Sequence, residues 1–275
     1  MKILFILFFL FGSWNICKAQ LSDDFEYTHK ATYSLTWQPD STDSESFKKE
    51  RMLLFMGSDG SKFSSFGKHV KDSLFNLYKK DKDKIGFQEY RAKVPEMHFK
   101  YVIYQNLITN TVTHAKRIGN DKVSYTESVP LDWKISKKRD EILGYKVQKA
   151  HTRFRGRNYT AWFSEDIPFS FGPYKFNGLP GLILKIKDEE DDYIFLLKGF
   201  QKLEEPINPS TQLEEFLNTT RENFIDIQDE YNNDPFGALE RSGMRFPSMS
   251  AKEKAQRTRE YRRNRENENN PIELE

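Results

Sequence analysis

The chain predicts an α+β fold, mostly an antiparallel curved sheet or open half-barrel packed with two or three helices, and three observations lead there. Aromatic residues are dense, with 23 Phe and 13 Tyr, and many alternate with polar residues, the period of a half-buried antiparallel sheet. Turn signals recur between such runs, at Asp59 and Gly60, at Gly119 and Asn120, and around Gly156, so consecutive strands should form a meander. Apolar residues at helical spacing occur in only a few places.

Taken in order, residues 1–19 have the three parts of a secretory signal: Lys2, an apolar run over 3–11, and a polar segment ending Cys17, Lys18, Ala19. The run is too short for a membrane span of about 20 residues. Small residues at the −3 and −1 positions place the cut after Ala19. Lipidation at Cys17 is the alternative, disfavoured because Trp14, Asn15 and Ile16 do not resemble a lipobox. Cys17 is the only cysteine of the 275 residues, so cleavage leaves no disulfide, thiolate nucleophile or Cys-ligated metal.

Residues 20–249 read as one β-rich domain. Strands are expected at 27–37, 51–57, 62–66, 98–107, 111–118, 122–128, 144–153, 158–164, 182–188 and 193–203. Between the third and fourth, residues 69–80 carry Val70, Leu74, Leu77 and Tyr78 at helical spacing and should pack one face on the sheet. After the last strand, Ser210 is placed to cap a second helix whose apolar stripe is Leu213, Phe216, Leu217, Phe224 and Ile227. From 250 onward the residues are nearly all polar or charged, which predicts an exposed helix or a partly disordered tail over 250–275. Its arginines are interspersed with glutamates, as on a solvated helix.

The run from Tyr159 to Leu184 reads YTAWFSEDIPFSFGPYKFNGLPGLIL. Pro180 fixes φ near −65° and Gly181 accepts a positive φ, the pairing of a type II turn, while Gly178 allows a further bend. These three are read as a structural turn launching a buried strand. The stretch closely resembles the signature of the GLPGLI family, secreted proteins of Bacteroidetes-type bacteria without an assigned reaction. The resemblance implies export and leaves the chemistry open.

Chemistry is hard to find. There is no G-x-S-x-G elbow, H-E-x-x-H helix, Walker loop or dinucleotide fingerprint, so no cofactor is expected and the reading leans away from an enzyme. His98, His114 and His151 sit on separate predicted strands and form a candidate metal set only if the sheet brings them to one face. The acidic loop 188–192 lacks the EF-hand spacing and reads as a solvated turn. Tyr159, Trp162, Phe163, Phe169, Phe171, Tyr174 and Phe176 are the candidate ligand-binding residues, since such rings suit a site with an apolar body and polar rim; filling the core is their competing role. With 43 Lys and Arg against 41 Asp and Glu, nothing points to nucleic acid.

The expectation is an exported periplasmic or cell-surface protein, without a transmembrane helix after signal cleavage. It would act as a non-enzymatic binding or accessory module for a hydrophobic ligand, a peptide or an envelope partner. The alternative is a metal-handling protein or hydrolase using strand histidines and acidic residues.

Overall fold

The computed structural model describes residues 26–80, 86–207 and 212–275. The leader at 1–19 and the cap read at Ser210 lie outside the described residues. One open, mixed sheet of twelve strands organises the rest, in the order β12-β6-β5-β4-β3-β2-β1-β11-β10-β9-β8-β7.

The central strand β1 (Tyr27–Trp37) buries Ala31, Tyr33, Leu35 and Trp37 in strict alternation. It pairs antiparallel with β2 (Lys48–Met56) on one side and β11 (Tyr193–Ile207) on the other. In β2 all five residues from Met52 to Met56 are buried because both faces are covered. Met52, Leu54 and Met56 join the main core, while Leu53 and Phe55 pack with Tyr27, Phe66 and Leu203 on the other side. Helix α1 (Phe66–Lys80) supplies that second cover, starting directly from β3 (Gly60–Ser65).

The meander continues through α2 (Phe87–Lys93), β4 (Tyr101–Asn106), β5 (Thr111–Ile118) and β6 (Asp121–Glu127). The other wing holds β7 (Lys134–Ile142), β8 (Tyr145–Phe154), β9 (Arg157–Ser164) and β10 (Leu182–Asp188). Phe154 pairs with Arg157 across a two-residue turn whose residues Arg155 and Gly156 have φ of 45° and 82°, positive at both centres as in a type I′ hairpin.

Three departures from the expected elements have local reasons. Strand β7, with the sequence KISKKRDEI, is exposed along most of its length; as the sheet's edge it needs no alternation, and its charges protect the edge. The helix expected from residue 210 is instead a 3₁₀ turn (Gln212–Glu215), strand β12 (Leu217–Thr219) and helix α3 (Arg221–Asn233). Thr220 is the true cap, its Oγ1 accepting from Asn223 N at 3.2 Å, and β12 forms the sheet's parallel pair, with β6. The described residues hold five α-helices where two or three were expected, adding α4 (Pro235–Arg241) and α5 (Ala251–Glu266). Ser250 and Glu253 form a capping box on α5, which explains why so polar a segment is helical.

The sheet rolls strongly. In the strand order β6 and β8 are separated by nine steps, about 40 Å in a flat sheet at ~4.8 Å per strand. Yet Arg155, on the β8–β9 turn, is ion-paired with Glu127 at the end of β6. Two features cross the concavity this creates: the loop between β9 and β10, and residues 269–275.

Candidate functional site

The loop from β9 to β10 owes its shape to the turn around Pro180. Gly181 N–H donates to Leu179 O at 2.8 Å, and Leu182 N–H donates to Ile167 O at 3.0 Å. The reversal is therefore a γ-turn centred on Pro180 and not the expected type II turn, because the amide that would close a type II turn is taken by Ile167. Gly181 has φ 148°, and a Cβ there would lie 2.0 Å from Ser164 O; Gly178 has φ 86°. Further bonds clamp the loop: Gly178 N to Ser170 O at 3.0 Å, Trp133 Nε1 to Asn177 O at 2.8 Å, and Gln105 Nε2 to Tyr174 O at 2.9 Å. Its tip lies against β4 and β6 and carries Tyr174 and Lys175 inward.

Lys175 is fully buried. Its ammonium donates to Tyr125 Oη at 2.8 Å and Glu127 Oε1 at 2.7 Å, and lies 2.6 Å from Glu273 Oε1. Tyr174 Oη donates to the same Glu273 oxygen at 2.5 Å, and Arg221 Nη2 reaches Glu273 Oε2 at 3.0 Å. Burial favours a neutral Glu273, but the Lys175 charge and the hydrogen bonds from Lys175, Tyr174 and Arg221 outweigh it and hold the carboxyl down to about 2. Burial likewise opposes the charge on Lys175, and Glu273, Tyr125 and Glu127 reverse it, raising the ammonium above its ordinary value. Beside this network His114 is pushed well below 6.5, by burial first and then by Lys175.

These shifts predict acid sensitivity. Glu273 has a folded pKa below its free value of 4.5, so its contribution is complete above about pH 4.5 and is lost as pH falls toward about 2. At about 1.4 kcal/mol per pKa unit that contribution is about 3 kcal/mol. His114 is neutral when folded and takes up a proton on unfolding below about pH 6.5, so stability also declines there. Urea midpoints from pH 8 to 2.5 should fall in two stages, and Glu273→Gln should lack the lower one. Parallel curves for variant and parent between pH 5 and 2.5 would show that Glu273 is not held this way.

A second anchor lies along the same segment. Arg157, buried at the start of β9, reaches Asp188 at 2.6 Å, Asp192 at 2.9 Å, the Asn270 side chain, and Pro271 O at 2.9 Å. The acidic loop 188–192 thus gives two of its carboxylates to Arg157. Tyr193 Oη donates to Asn270 O at 2.7 Å and Tyr159 Oη to Ile272 O at 3.2 Å. Asn270 N donates to Pro39 O at 3.1 Å and Leu274 N to Arg155 O at 3.0 Å. Three successive carbonyls and two amides of an irregular segment with a bend at Ile272 are gripped, Ile272 is buried in the main core, and Glu273 enters the charged pocket.

The seven aromatic residues expected to bind a ligand are distributed differently. Tyr159, Phe163, Phe171, Tyr174 and Phe176 are almost fully buried in the main core, with Tyr159 and Phe176 centroids 4.7 Å apart. Trp162 is also a buried member of that core and is flanked by Lys149 and Lys185, and the partly buried Phe169 packs on His29 and Phe200. Only Tyr159 and Tyr174 touch the 269–275 segment through their hydroxyls among the hydrogen bonds described above. An open pocket of about 350 Å³ between the β5–β6 turn and helices α3 and α4 includes none of the seven.

The structure does not bring the three histidines together. His98 packs on Trp37, His114 is enclosed by Tyr101, Tyr125 and Phe224, and exposed His151 meets Thr160. Between His114 on β5 and His151 on β8 stand β4, β3, β2, β1, β11, β10 and β9. Among the described residues, no three His, Cys, Asp or Glu side chains converge to hold a metal ion. No helix among them is long and apolar enough to cross a membrane.

Lys175, Glu127, Arg155, Arg157, Arg221, Asn270 and Glu273 were not singled out from sequence. Two signals point to them in retrospect: one lysine inside an aromatic run, and the apolar Ile272 and Leu274 after a long charged helix.

Residues 155–185 match the model of a family described as a protein of unknown function, Porph_ging. That family is Bacteroidetes-associated. The matched stretch includes Arg155, Arg157, Tyr159, Tyr174 and Lys175, five of the residues that hold the 269–275 segment in a cradle. No curated protein matches the chain. Two solved structures of PNGF-II, in space groups P21 and C2, are similar in fold, with TM-scores of 0.54 and 0.53 at 16% identity over 75% of this chain. The chain spans about a third of their length, 34% and 33%.

Proposed function

We propose that this chain is an exported, non-enzymatic binding or accessory module of the cell envelope, of the GLPGLI type, whose rolled half-barrel holds a peptide segment. The observation that carries the reading is the cradle for residues 269–275. It grips carbonyls of three successive residues through Tyr193, Arg157 and Tyr159, main-chain contacts that do not depend on the side chains of the bound peptide. A peptide is favoured over a free apolar ligand because most of the aromatic rings that would line an apolar site are packed against one another. The leader read over residues 1–19 supports export.

The test uses the full chain with a protease site placed at the exposed residues 267–268, so that the last segment can leave after cleavage. Screened against an unbiased library of decapeptides, the cut, folded protein should enrich a defined set of sequences. A library that returns nothing above background after release of the segment would sink the binding reading. Fractionation of cells expressing the whole sequence tests export separately; retention of the uncleaved chain in the cytoplasmic fraction would sink that half.

A further inference from the structure

We infer that the pocket around Lys175, Arg221 and Tyr174 is a carboxylate-reading site, now filled by Glu273, which takes an acidic residue of a partner's peptide in exchange. The inference rests on the peptide-module reading and names its ligand class. Four observations support it.

The pocket is electrostatically incomplete without an incoming anion. Lys175, Arg155 and Arg221 face it, and apart from the 269–275 segment the carboxylate paired with them is Glu127. A buried cation needs its partner, so an empty pocket is costly and a carboxylate is what it selects. The recognition is also unsaturated. Arg221 Nε, His114 Nε2 and Tyr101 Oη are buried with no hydrogen-bond partner, and the Tyr101 ring lies 5.6 Å from that of Tyr174 and 5.1 Å from that of His114. Such groups are normally satisfied, and here they leave hydrogen-bonding capacity beside the carboxylate that Glu273 does not use.

The remaining two observations concern exchange. Main-chain atoms of Asn270, Pro271, Ile272 and Leu274 are gripped, which another peptide would present equally; besides Asn270, Ile272 and Glu273, the side chains that hold the segment are the exposed Asn269, on Asp40 and Ser41, and Glu275, on Arg153. The segment is tethered by α5, a helix without a single buried residue, followed by exposed residues 267–269. Leaving the cleft therefore disrupts little core beyond the segment itself. The tether gives the resident segment a high effective concentration, so a competing peptide gains access when the resident is weakened or outmatched.

The experiment is peptide binding to the full-length Glu273→Gln chain. The probe is a labelled peptide with the sequence of residues 270–275, compared with the same peptide carrying Gln in place of its first Glu. The parent peptide should bind the variant saturably, and the Gln peptide about a hundredfold more weakly, as for loss of one partner of a buried pair. Wild-type chain should bind the parent peptide at least about tenfold less well than the variant, because its own segment competes. Equal binding of the two peptides, or no binding of either at millimolar concentration, would overturn the inference. If Glu273→Gln does not fold, the chain cleaved at 267–268 replaces it. There the parent peptide should displace the cut segment; a segment that stays in place under excess peptide overturns the proposal. Should the library enrich peptides whose binding is indifferent to carboxylates, the carboxylate site falls while the peptide module stands. Should nothing exchange, both fall.

Discussion

Lys175→Met should lower the stability of the chain by about 3–5 kcal/mol, read as a shift in the urea midpoint at neutral pH. Methionine fills nearly the volume of the lysine stem, so the substitution isolates the charge. The lysine is fully buried between Glu127 and Glu273, at 2.7 and 2.6 Å. Removing one member of a buried ionic group leaves the others uncompensated, and that uncompensated charge is the main cost. Here two carboxylates lose their shared cation, and Tyr125 Oη loses the group that donates to it at 2.8 Å. Arg155 and Arg221 remain near the carboxylates, which keeps the expected loss within this range. Combining Lys175→Met with Glu273→Gln should recover part of it, since one buried carboxylate then carries no charge. A single-variant loss under about 1 kcal/mol would mean that the network tolerates the missing cation and that Lys175 does not organise it.

Gly181→Val should cost about 3 kcal/mol or more. Two terms add: the positive φ of 148°, costly for any residue with a Cβ, and the carbonyl of Ser164, which would lie 2.0 Å from that Cβ. The second term is overpacking against backbone that is fixed on both sides. Ser164 ends β9 and pairs with Leu182, so neither strand can retreat without breaking the ladder. Gly178→Ala is the control. Gly178 also has a positive φ of 86°, but its Cβ would meet nothing closer than 3.9 Å, so only the conformational cost of about 1 kcal/mol applies. Equal melting temperatures for Gly181→Val and the parent would contradict the close approach, and equal losses at 178 and 181 would show that backbone conformation alone matters.

Much of the sheet was legible because its signal is local. Strands β1, β5 and β10 occupy the residues selected from sequence: in β1 period-2 burial is written into consecutive side chains, while β5 and the start of β10 are continuous buried runs bounded by turn residues. Strands β7 and β12 were not legible. An edge strand such as KISKKRDEI has no face that must be apolar, and Leu217–Thr219 becomes a strand only because β6 offers it an edge. The shift of the second helix start to Thr220 has the same character: an apolar stripe shows where a helix is plausible, whereas the cap and the neighbouring strand set where it begins.

The candidate site divides along the same line. Its turn was visible in Gly178, Pro180 and Gly181, although the turn type depended on which distant amide Ile167 captured. Its aromatic run was visible too, and so was the family-like stretch around it. The charged cradle was not, because its members come from β6, the β8–β9 turn, the loop, α3 and the last residues, with Tyr174 and Glu273 ninety-nine positions apart. By itself the sequence determined the strand-forming residues, the tight reversal and the location of the aromatic core, all of which follow from interactions between near neighbours in the chain. Only the tertiary structure decided that the sheet rolls far enough to bring Arg155 to Glu127, that a lysine in an aromatic run becomes a buried cation, and that Glu273 neutralises it. The physical reason is that burial and charge compensation belong to the assembled interior: no residue carries in its own neighbourhood the information about which opposite charge will meet it there.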